Sequence, residues 1–462
     1  MSQVSISFLG ATETVTGSRF LVSDQNSNIL IDAGLFQGVR EIKDKNWEPF
    51  PVEPSSLDAI VLTHAHLDHS GYLPLLVKQG FAGSIYSTEF TAKLASVILQ
   101  DSARIQVEDA KFARKKGYSR HKDPQPLYDE DDALQAIKLF KICKFNQPIN
   151  IENKATVKFY HSGHILGSAF ITLEISGKKL LFSGDLGRPT HPVLVSPDTF
   201  PDEKFDAIVT ESTYGDRVHK KPSGEFAEVI NETISRGGIV LIPAFAVDRT
   251  EVILIELREL MESGQIPKVP IFVDSPMALT ALDFYRDAIN AGRSEIKPEI
   301  VEIWRGKDPF DPGTLEERRS VEESKSLNDQ RLPCIIVSAS GMATGGRVVH
   351  HLARLLPDSN NTVLLVGYQA EGTRGRQLEN GDKRIRIFGE DVPVRAQIEN
   401  EDVFSVHADS NELLNWLKVA SEPKQVVVVH GELETADIFA KRIKTELGWN
   451  AVVPKPEQTF EL

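Results

Sequence analysis

The stretch that most constrains this chain lies at positions 64–69, where the sequence reads His-Ala-His-Leu-Asp-His. It follows an apolar, β-branched run at 58–63, which predicts a buried strand. It precedes residues 70–77, which predict a turn entering a helix. Three of the chain's 12 histidines fall within these six positions, which argues against a surface loop that is rich in His and Asp by chance.

The four polar side chains of this loop have metal-ligand spacing. Because residues i and i+2 of an extended backbone point the same way, His64 and His66 can reach one cation. Asp68 and His69 follow the bend and can face a second cation. Imidazole and carboxylate together suit Zn²⁺ better than manganese or iron. The loop therefore predicts a metal site, with zinc favoured.

Further predicted strands also end in metal-type side chains. His161 and His164 follow the strand at 156–160, Asp185 and Glu211 each follow another strand, and His430 follows the strand at 425–429. In layered α/β folds, functional groups gather where strand ends meet loops, and a buried strand holds its end rigidly. We therefore expect these side chains to converge on the loop at 64–69.

Asp32 follows the third of three short N-terminal strands, which are predicted at 4–10, 18–22 and 28–31. The residue type alone leaves two roles open for Asp32. Its carboxylate can hold a ligand loop or a metal-bound water, or it can cap a turn.

Composition narrows the class of protein. The 462-residue chain is long enough for two or three domains with large cores. It has no apolar run of roughly 18 residues, so no membrane span is predicted, and its start reads as a strand and not as a signal peptide. With Cys143 and Cys334 as its only cysteines, we expect no disulfide framework and a cytoplasmic location. The net charge of −14 argues against indiscriminate nucleic-acid binding but leaves a local basic groove open.

Residues 215–400 repeat strand–loop–helix units, which predicts a parallel sheet covered on both faces. Because His430 returns to the predicted metal site afterwards, this second α/β domain is inserted into the first. We expect residues 293–330, which are charged with few apolar anchors, to form a helical excursion. The predicted domains are therefore 1–214 and 401–462 for the first domain, and 215–400 for the inserted domain.

A Gly-rich loop between a strand and a helix of the inserted domain has a composition suited to phosphate. The residues concerned are Ser338, Ser340, Gly341, Thr344, Gly345, Gly346 and Arg347. Glycines let backbone amides turn inward, and hydroxyls, a helix N-terminus and an arginine can cradle an anion. A tight helix-entry turn remains the alternative.

Two basic clusters leave a nucleic-acid contact open. The first contains Lys111, Arg114, Lys115, Lys116, Arg120 and Lys122, for which a solvated helical face is favoured. The second contains Arg374, Arg376, Lys383, Arg384 and Arg386, near Tyr368, and is a candidate basic lip.

The segment at 64–69 resembles the HxHxDH motif of the metallo-β-lactamase superfamily. The resemblance implies an αββα sandwich and a supporting role for Asp32 behind the ligands. It also points to zinc, because the similar flavodiiron proteins carry Glu at the position of His66 and bind iron.

Three further motifs resemble the β-CASP branch of that superfamily. They are Glu211 in Glu-Ser-Thr-Tyr-Gly, His407 in Phe-Ser-Val-His and His430 in Val-Val-His-Gly. DNA-repair members carry Val at the last position, so His430 places the chain with RNA-processing members. These include the nuclease subunit of the cleavage and polyadenylation specificity factor and its short prokaryotic relatives. The resemblance covers nearly the whole chain and implies an inserted parallel-sheet α/β (β-CASP) domain.

The β-CASP resemblance also implies two zinc ions per chain. The ligands would be His64, His66 and His164 for one ion, Asp68, His69 and His430 for the other, and Asp185 between them. His161 would lie behind the ligands. RNA would be the substrate, and the oligomeric state stays open, with a homodimer as one alternative.

The expected chemistry is two-metal hydrolysis of a phosphodiester. A metal pair lowers the pKa of a bridging water towards about 7, which supplies a hydroxide nucleophile at neutral pH. The leaving 3′-oxygen needs a proton, for which His407 is the candidate general acid and Glu211 the carboxylate that supports it. We expect Asp68 to serve both as a metal ligand and as a catalytic residue. Without the family context, His407 reads as part of the cap of a helix at 411–419.

Two other functions are weighed against a ribonuclease. A small-molecule ester or thioester hydrolase of the same fold would not need the large inserted domain or the pair Glu211–His407. A non-catalytic RNA-binding scaffold would be expected to lack ligands, whereas every expected ligand type is present. Endonuclease and 5′-exonuclease action both remain open.

Overall fold

The computed structural model describes residues 3–116, 123–201, 203–219, 224–330, 332–401 and 403–462. Within these ranges the chain forms two compact units. The first unit combines the residues up to Val218 with His407–Leu462, and the second unit is His219–Val406.

Two seven-stranded sheets form the first unit. One sheet has the order Thr459–Glu461, Ser5–Phe8, Phe20–Ser23, Asn28–Ile31, Ala59–Val61, Ser84–Thr88, Phe140–Cys143. The other has the order Ala451–Val452, Gln425–Val428, Ala207–Thr210, Lys178–Phe182, Ala169–Ile175, Ala155–His161, Ile149–Ile151.

The two sheets share one apolar core. Ile6 and Phe8 alternate with polar neighbours and point into it, and the Phe20 ring stacks on Phe182 across the sheets with centroids 6.0 Å apart. The strand Gln425–Val428 is apolar on both faces, because its outer face packs under two helices. The α-helices of this unit are Arg40–Asp44, Leu67–Ser70, Leu73–Lys78, Glu89–Lys116, Glu130–Ile137, Ser410–Leu417 and Leu433–Arg442. This is the αββα sandwich that the resemblance implied.

The second unit is built on a six-stranded sheet in which every pairing is parallel. Its order is Leu315–Glu317, Ile271–Val273, Ile335–Ser338, Val240–Pro243, Thr362–Leu365, Gln397–Asn400. The α-helices are Glu225–Ser235, Arg249–Glu262, Pro276–Ala291, Pro298–Trp304, Val321–Ser326, Arg347–Leu355 and Arg374–Glu379. A separate antiparallel hairpin pairs Arg384–Ile387 with Glu390–Pro393. The predicted parallel α/β domain is therefore confirmed.

One local prediction needs correction. The predicted helical excursion at 293–330 contains the strand Leu315–Glu317, which pairs with Ile271–Val273 at the edge of the sheet. A three-residue, mostly polar strand has no alternation to detect, and only its neighbour defines it.

No helix in the described part of the chain has the length and hydropathy needed to cross a bilayer.

Glu251 is a fully buried carboxyl group on the helix Arg249–Glu262 of the second unit. Burial and the nearby carboxylate of Asp248 raise the pKa of Glu251 well above its usual value. The folded state therefore retains a proton that the unfolded chain releases near the ordinary glutamate pKa of about 4.3. Since the folded state then binds more protons than the unfolded state, stability falls as pH rises through the window between the two pKa values.

We expect Glu251→Gln to raise the melting temperature above that of the wild type at neutral and alkaline pH. The difference in melting temperature between Glu251→Gln and the wild type should shrink as pH falls towards about 4, where the Glu251 carboxyl group is protonated in the folded and the unfolded state. In a unit of this size, each kcal/mol gained in the free energy of unfolding raises the melting temperature by about 2–4 °C. Scanning calorimetry across this pH range measures it, with Glu259→Gln, an exposed site on the same helix, as the matched control. A gap that does not vary with pH contradicts the prediction.

Candidate metal centre

The loop at 64–69 is held in place by Asp32, at the end of the neighbouring strand. One oxygen of Asp32 accepts the backbone N–H of Thr63 and the other accepts its hydroxyl, both at 2.8 Å. The same carboxylate lies 2.8 Å from Nδ1 of His69, which directs Nε2 of that ring into the site. Asp32 therefore fixes both the start of the loop and one of its imidazoles.

A first group of ligand-type atoms forms around His64, His66 and His164. Nε2 of His164 lies 3.2 Å from Nδ1 of His66, and the His64 ring packs edge-on against both of the other rings. Oδ2 of Asp185 lies 3.5 Å from Nε2 of His64 and 3.7 Å from Nε2 of His164. One ligand atom from each of these four residues lies within 4.8 Å of the others, which is close enough to share a cation.

A second group forms around Asp68, His69 and His430. Nε2 of His430 lies 3.1 Å from Nε2 of His69 and 3.3 Å from Oδ2 of Asp68. Oδ1 of Asp185 lies 3.3 Å from Nε2 of His69 and 3.6 Å from Nδ1 of His430. Asp185 therefore contacts both groups, one with each carboxylate oxygen. The structure brings together all seven side chains that the sequence analysis named as ligands.

Gly184 allows Asp185 to approach the loop at 64–69. Its φ is +53°, and a Cβ at this position would lie 2.8 Å from the Cβ of Thr63. A larger residue would therefore push the end of the strand Lys178–Phe182 away from the loop that carries His64.

Burial and neighbouring charges together shift the pKa values of the cluster. Burial tends to raise the pKa of Asp185, but His430 and His69 outweigh it and hold that pKa well below the usual range. Burial, reinforced by His69, lowers the pKa of His64 well below its usual value. Burial also tends to lower the pKa of His69, but Asp185 and Asp32 raise it well above the usual value. The cluster therefore contains a charged carboxylate beside neutral His64, the form of imidazole that binds metals.

The donor set fits divalent metal ions. Nε2 of His64 is buried and has no hydrogen-bond partner among the described residues. Ring nitrogens of His69 and His430 face each other at 3.1 Å, as do those of His66 and His164 at 3.2 Å. Imidazole nitrogens that converge with carboxylates form the ligand set typical of zinc and related divalent ions.

Glu211 and His407 lie beside the cluster. Nδ1 of His407 is 3.5 Å from Oε2 of Glu211 and 3.9 Å from Oδ2 of Asp185. Glu211 is buried, and its Oε1 accepts the backbone N–H of Leu186, whereas the side chain of His407 keeps 18% of its surface exposed. The following helix is capped by Asp409, which accepts two backbone N–H groups. His407 therefore does not serve as that cap.

Thr213 is a residue that the sequence analysis missed. Its hydroxyl donates to Oε2 of Glu211 at 2.6 Å and lies 3.1 Å from Nδ1 of His430. It thus connects the carboxylate beside His407 to one of the metal-type imidazoles. The signal was present in the segment Glu-Ser-Thr-Tyr-Gly, but a threonine two residues from a carboxylate has many ordinary roles.

His161 contacts Asp198 and Phe145. Its Nδ1 is 3.0 Å from Asp198, and its ring stacks on Phe145 with centroids 3.8 Å apart. Neither partner belongs to the ligand cluster. The glycine turn after His161 places His164, and not His161, at the cluster.

The Gly-rich loop of the second unit has fewer accessible groups than its composition suggested. Ser338 is buried, and its hydroxyl donates to the carbonyl of Asp274. The Arg347 guanidinium is bound to the Asp274 carboxylate at 2.7 Å and to two backbone carbonyls. Ser340 and Thr344 join their hydroxyls at 3.0 Å. Thr344 and Gly346 are the exposed part of this loop.

The first basic cluster is only partly described. Lys111, Arg114 and Lys115 are exposed, and Arg114 pairs with Asp123 at 3.5 Å. Arg120 and Lys122 lie outside the described residues. In the second cluster, Lys383, Arg384 and Arg386 are exposed, whereas Arg376 pairs with Glu379 at 2.9 Å.

Three family models match the chain. The metallo-beta-lactamase superfamily model matches residues 15–214, and the Beta-Casp domain model matches residues 250–378. The model of the Zn-dependent metallo-hydrolase RNA specificity domain matches residues 391–454. In a comparison of folds, a structure of a protein of unknown function from Enterococcus faecalis matches with a TM-score of 0.53 at 12% identity, covering 100% of both chains.

Several curated proteins are similar over most of their length. The chain is 36% identical to Ribonuclease TTHA0252 of Thermus thermophilus, over 92% of each chain. It is 33% identical to an RNase J-like protein of Methanocaldococcus jannaschii, over 98% of each chain. It is 31% identical to transcription termination factor FttA of Pyrococcus abyssi, over 99% of this chain and 71% of that protein. By these similarities, the chain belongs to the β-CASP family of metal-dependent hydrolases within the metallo-β-lactamase superfamily.

Proposed function

We propose that this chain is a zinc-dependent ribonuclease that hydrolyses RNA phosphodiesters with two metal ions. The observation that carries the proposal is the position of Asp185, which contacts both ligand groups and lies 3.9 Å from His407. The names of the similar ribonucleases support RNA as the substrate class.

The ligands are proposed as two groups that share Asp185. They are His64, His66 and His164 for one ion and Asp68, His69 and His430 for the other. When bound, the pair of ions supplies a water molecule of lowered pKa and polarises a phosphoryl oxygen. Asp32 and Thr213 keep His69 and His430 oriented from behind.

His407 is proposed to give a proton to the leaving 3′-oxygen. Its Nδ1 lies 3.5 Å from the buried carboxylate of Glu211, which leaves Nε2 to face the substrate as the proton donor. Glu211 is itself fixed by the backbone N–H of Leu186 and the hydroxyl of Thr213, so it can hold the ring in one orientation. Glu211 is thus the positioning residue for the acid.

Within the second unit, we propose that the Gly-rich loop contacts RNA phosphate through its exposed part. Thr344 and Gly346 are exposed and available for this contact, and Gly345 between them is half-buried, whereas Arg347 is already bound to Asp274. A backbone cradle of this kind recognises phosphate without reading the base.

The test is cleavage of labelled single-stranded RNA by the purified chain, with and without a chelator. We expect cleavage that stops when the chelator is added and returns when zinc is restored. Aryl ester and thioester substrates, offered in parallel, should be hydrolysed far more slowly. Intact RNA in the zinc-loaded sample contradicts the proposal, and rapid ester hydrolysis with intact RNA supports the small-molecule alternative.

A further inference from the structure

The hairpin of the second unit has an aromatic side chain at its tip. Its strands are Arg384–Ile387 and Glu390–Pro393, and the pairing of Ile387 with Glu390 leaves the two-residue turn Phe388-Gly389. Phe388 is 60% exposed and has a φ of +52°. Two-residue turns with positive φ favour Asn, Asp or Gly, so a large aromatic residue here is unusual. The turn presents the ring to solvent at a conformational cost.

The hairpin is anchored on one face and charged on the other. Ile385 and Ile387 are buried in the apolar core of the second unit. Arg384 and Arg386 alternate with them and are exposed on the same strand as Phe388. The opposite strand contributes the exposed acidic residues Glu390 and Asp391, and the Arg384 guanidinium donates to the Asp391 carbonyl. Arg386 is therefore the exposed cation two residues from the aromatic ring.

Two contacts fix the tip of this hairpin beside the Gly-rich loop. The Phe388 ring rests on the His350 ring with centroids 4.5 Å apart and an interplanar angle of 35°. His350 lies on the helix Arg347–Leu355, which begins directly after that loop. The Arg374 guanidinium donates from Nη1 to the Thr344 carbonyl at 3.0 Å and from Nε to the Arg386 carbonyl at 3.1 Å.

The imidazole beneath Phe388 is uncharged near neutral pH. Burial, followed by the neighbouring His351, lowers the pKa of His350. A neutral ring supports Phe388 from one side by aromatic packing, which leaves the other side of the phenyl ring free to receive a planar group.

We propose that Phe388 is a stacking platform for one unpaired base of a single-stranded RNA, whose adjoining phosphates contact Arg386 and the exposed part of the Gly-rich loop. This inference rests on the proposed ribonuclease function and adds a subsite to it. The neighbouring guanidinium and loop backbone suit a polyanion with a planar base better than an apolar peptide. Stacking of this kind tolerates any base, because every base has a π-face.

The test compares binding of single-stranded RNA by the wild type, Phe388→Ala and Phe388→Trp. The probe is a fluorescein-labelled phosphorothioate RNA of about 20 nucleotides, chosen to slow hydrolysis during anisotropy measurements on the zinc-loaded protein. Phe388→Ala should raise the dissociation constant about tenfold, and Phe388→Trp should stay within about twofold of the wild type. The matched control is Ile303→Ala, which shortens another exposed apolar side chain of the same unit, 56% exposed in the wild type.

Two readouts separate this inference from the function on which it rests. RNA binding should quench the added tryptophan of Phe388→Trp beyond the quenching seen in the wild type. In cleavage assays, Phe388→Ala should raise KM and leave kcat unchanged.

If Phe388→Ala binds RNA as tightly as the wild type, the inference is overturned. If the wild type still cuts RNA in that case, the proposed ribonuclease function stands. A wild type that neither binds nor cuts RNA overturns both. If Phe388→Ala fails to fold, the inference is tested with Arg386→Gln and Phe388→Trp. It is overturned if Arg386→Gln binds RNA with the affinity of the wild type and RNA causes no added quenching in Phe388→Trp.

Discussion

Asp185→Asn is expected to slow RNA cleavage by about 10³-fold or more, because Lewis-acid stabilisation by the proposed metal pair would contribute several kcal/mol to the transition state. One oxygen of Asp185 faces His64 and His164, and the other faces His69 and His430. An amide retains the size of the side chain but provides a single neutral oxygen, so it cannot serve both ligand groups. Single-turnover rates and metal content by mass spectrometry should therefore fall together.

The control for this prediction is Asp198→Asn, which makes the same change at a carboxylate that faces a histidine outside the cluster. It should retain the metal and the rate. An Asp185→Asn protein with full zinc content and a wild-type cleavage rate would show that this carboxylate does not connect the two ligand groups.

His407→Ala should lower kcat by about 10²- to 10⁴-fold, the range that a positioned general acid contributes. The metal content should not change, because His407 lies 3.9 Å from Asp185 and is not one of the proposed ligands. KM for RNA should also stay close to the wild-type value. This combination distinguishes loss of a proton donor from loss of a metal ion.

His161→Ala provides the matched control, since it removes an imidazole that pairs with Asp198 and stacks on Phe145 and is not one of the proposed ligands. Its kcat should remain near that of the wild type. If His407→Ala loses zinc, or if its cleavage rate is unchanged, the assignment of His407 as the acid is wrong. An RNA with a better 3′-leaving group should partly restore the rate of His407→Ala, because such a leaving group needs less help from a proton.

Local sequence patterns predicted much of the fold and the strand ends that carry ligand-type side chains, whereas the assignment of these side chains to two ligand groups came from the family resemblance. The i, i+2 spacing of His64 and His66 and the apolar strands that end near His164, Asp185 and His430 are visible in a single sequence. Buried strands of this kind have few alternative structures. Their ends therefore converge once the two sheets pack against each other.

The remaining features depend on partners distant in sequence. The strand Leu315–Glu317 exists because Ile271–Val273 pairs with it. The ion pair between Arg347 and Asp274 and the burial of Ser338 follow from packing at the strand ends of the second unit. The role of Thr213 follows from the position of its hydroxyl between Glu211 and His430. A sequence pattern predicts side-chain types, whereas these roles depend on which groups each side chain meets.

The origin of the ligands along the chain has a consequence for synthesis. His430 completes the second ligand group and His407 stands beside Glu211, yet both follow the entire inserted unit in sequence. During translation, the ribosome must therefore synthesise the whole inserted unit before the two ligand groups can assemble. Every nascent or prematurely terminated polypeptide that stops short of His430 lacks a complete second group, so the proposed hydrolytic activity is withheld until His430 has been synthesised.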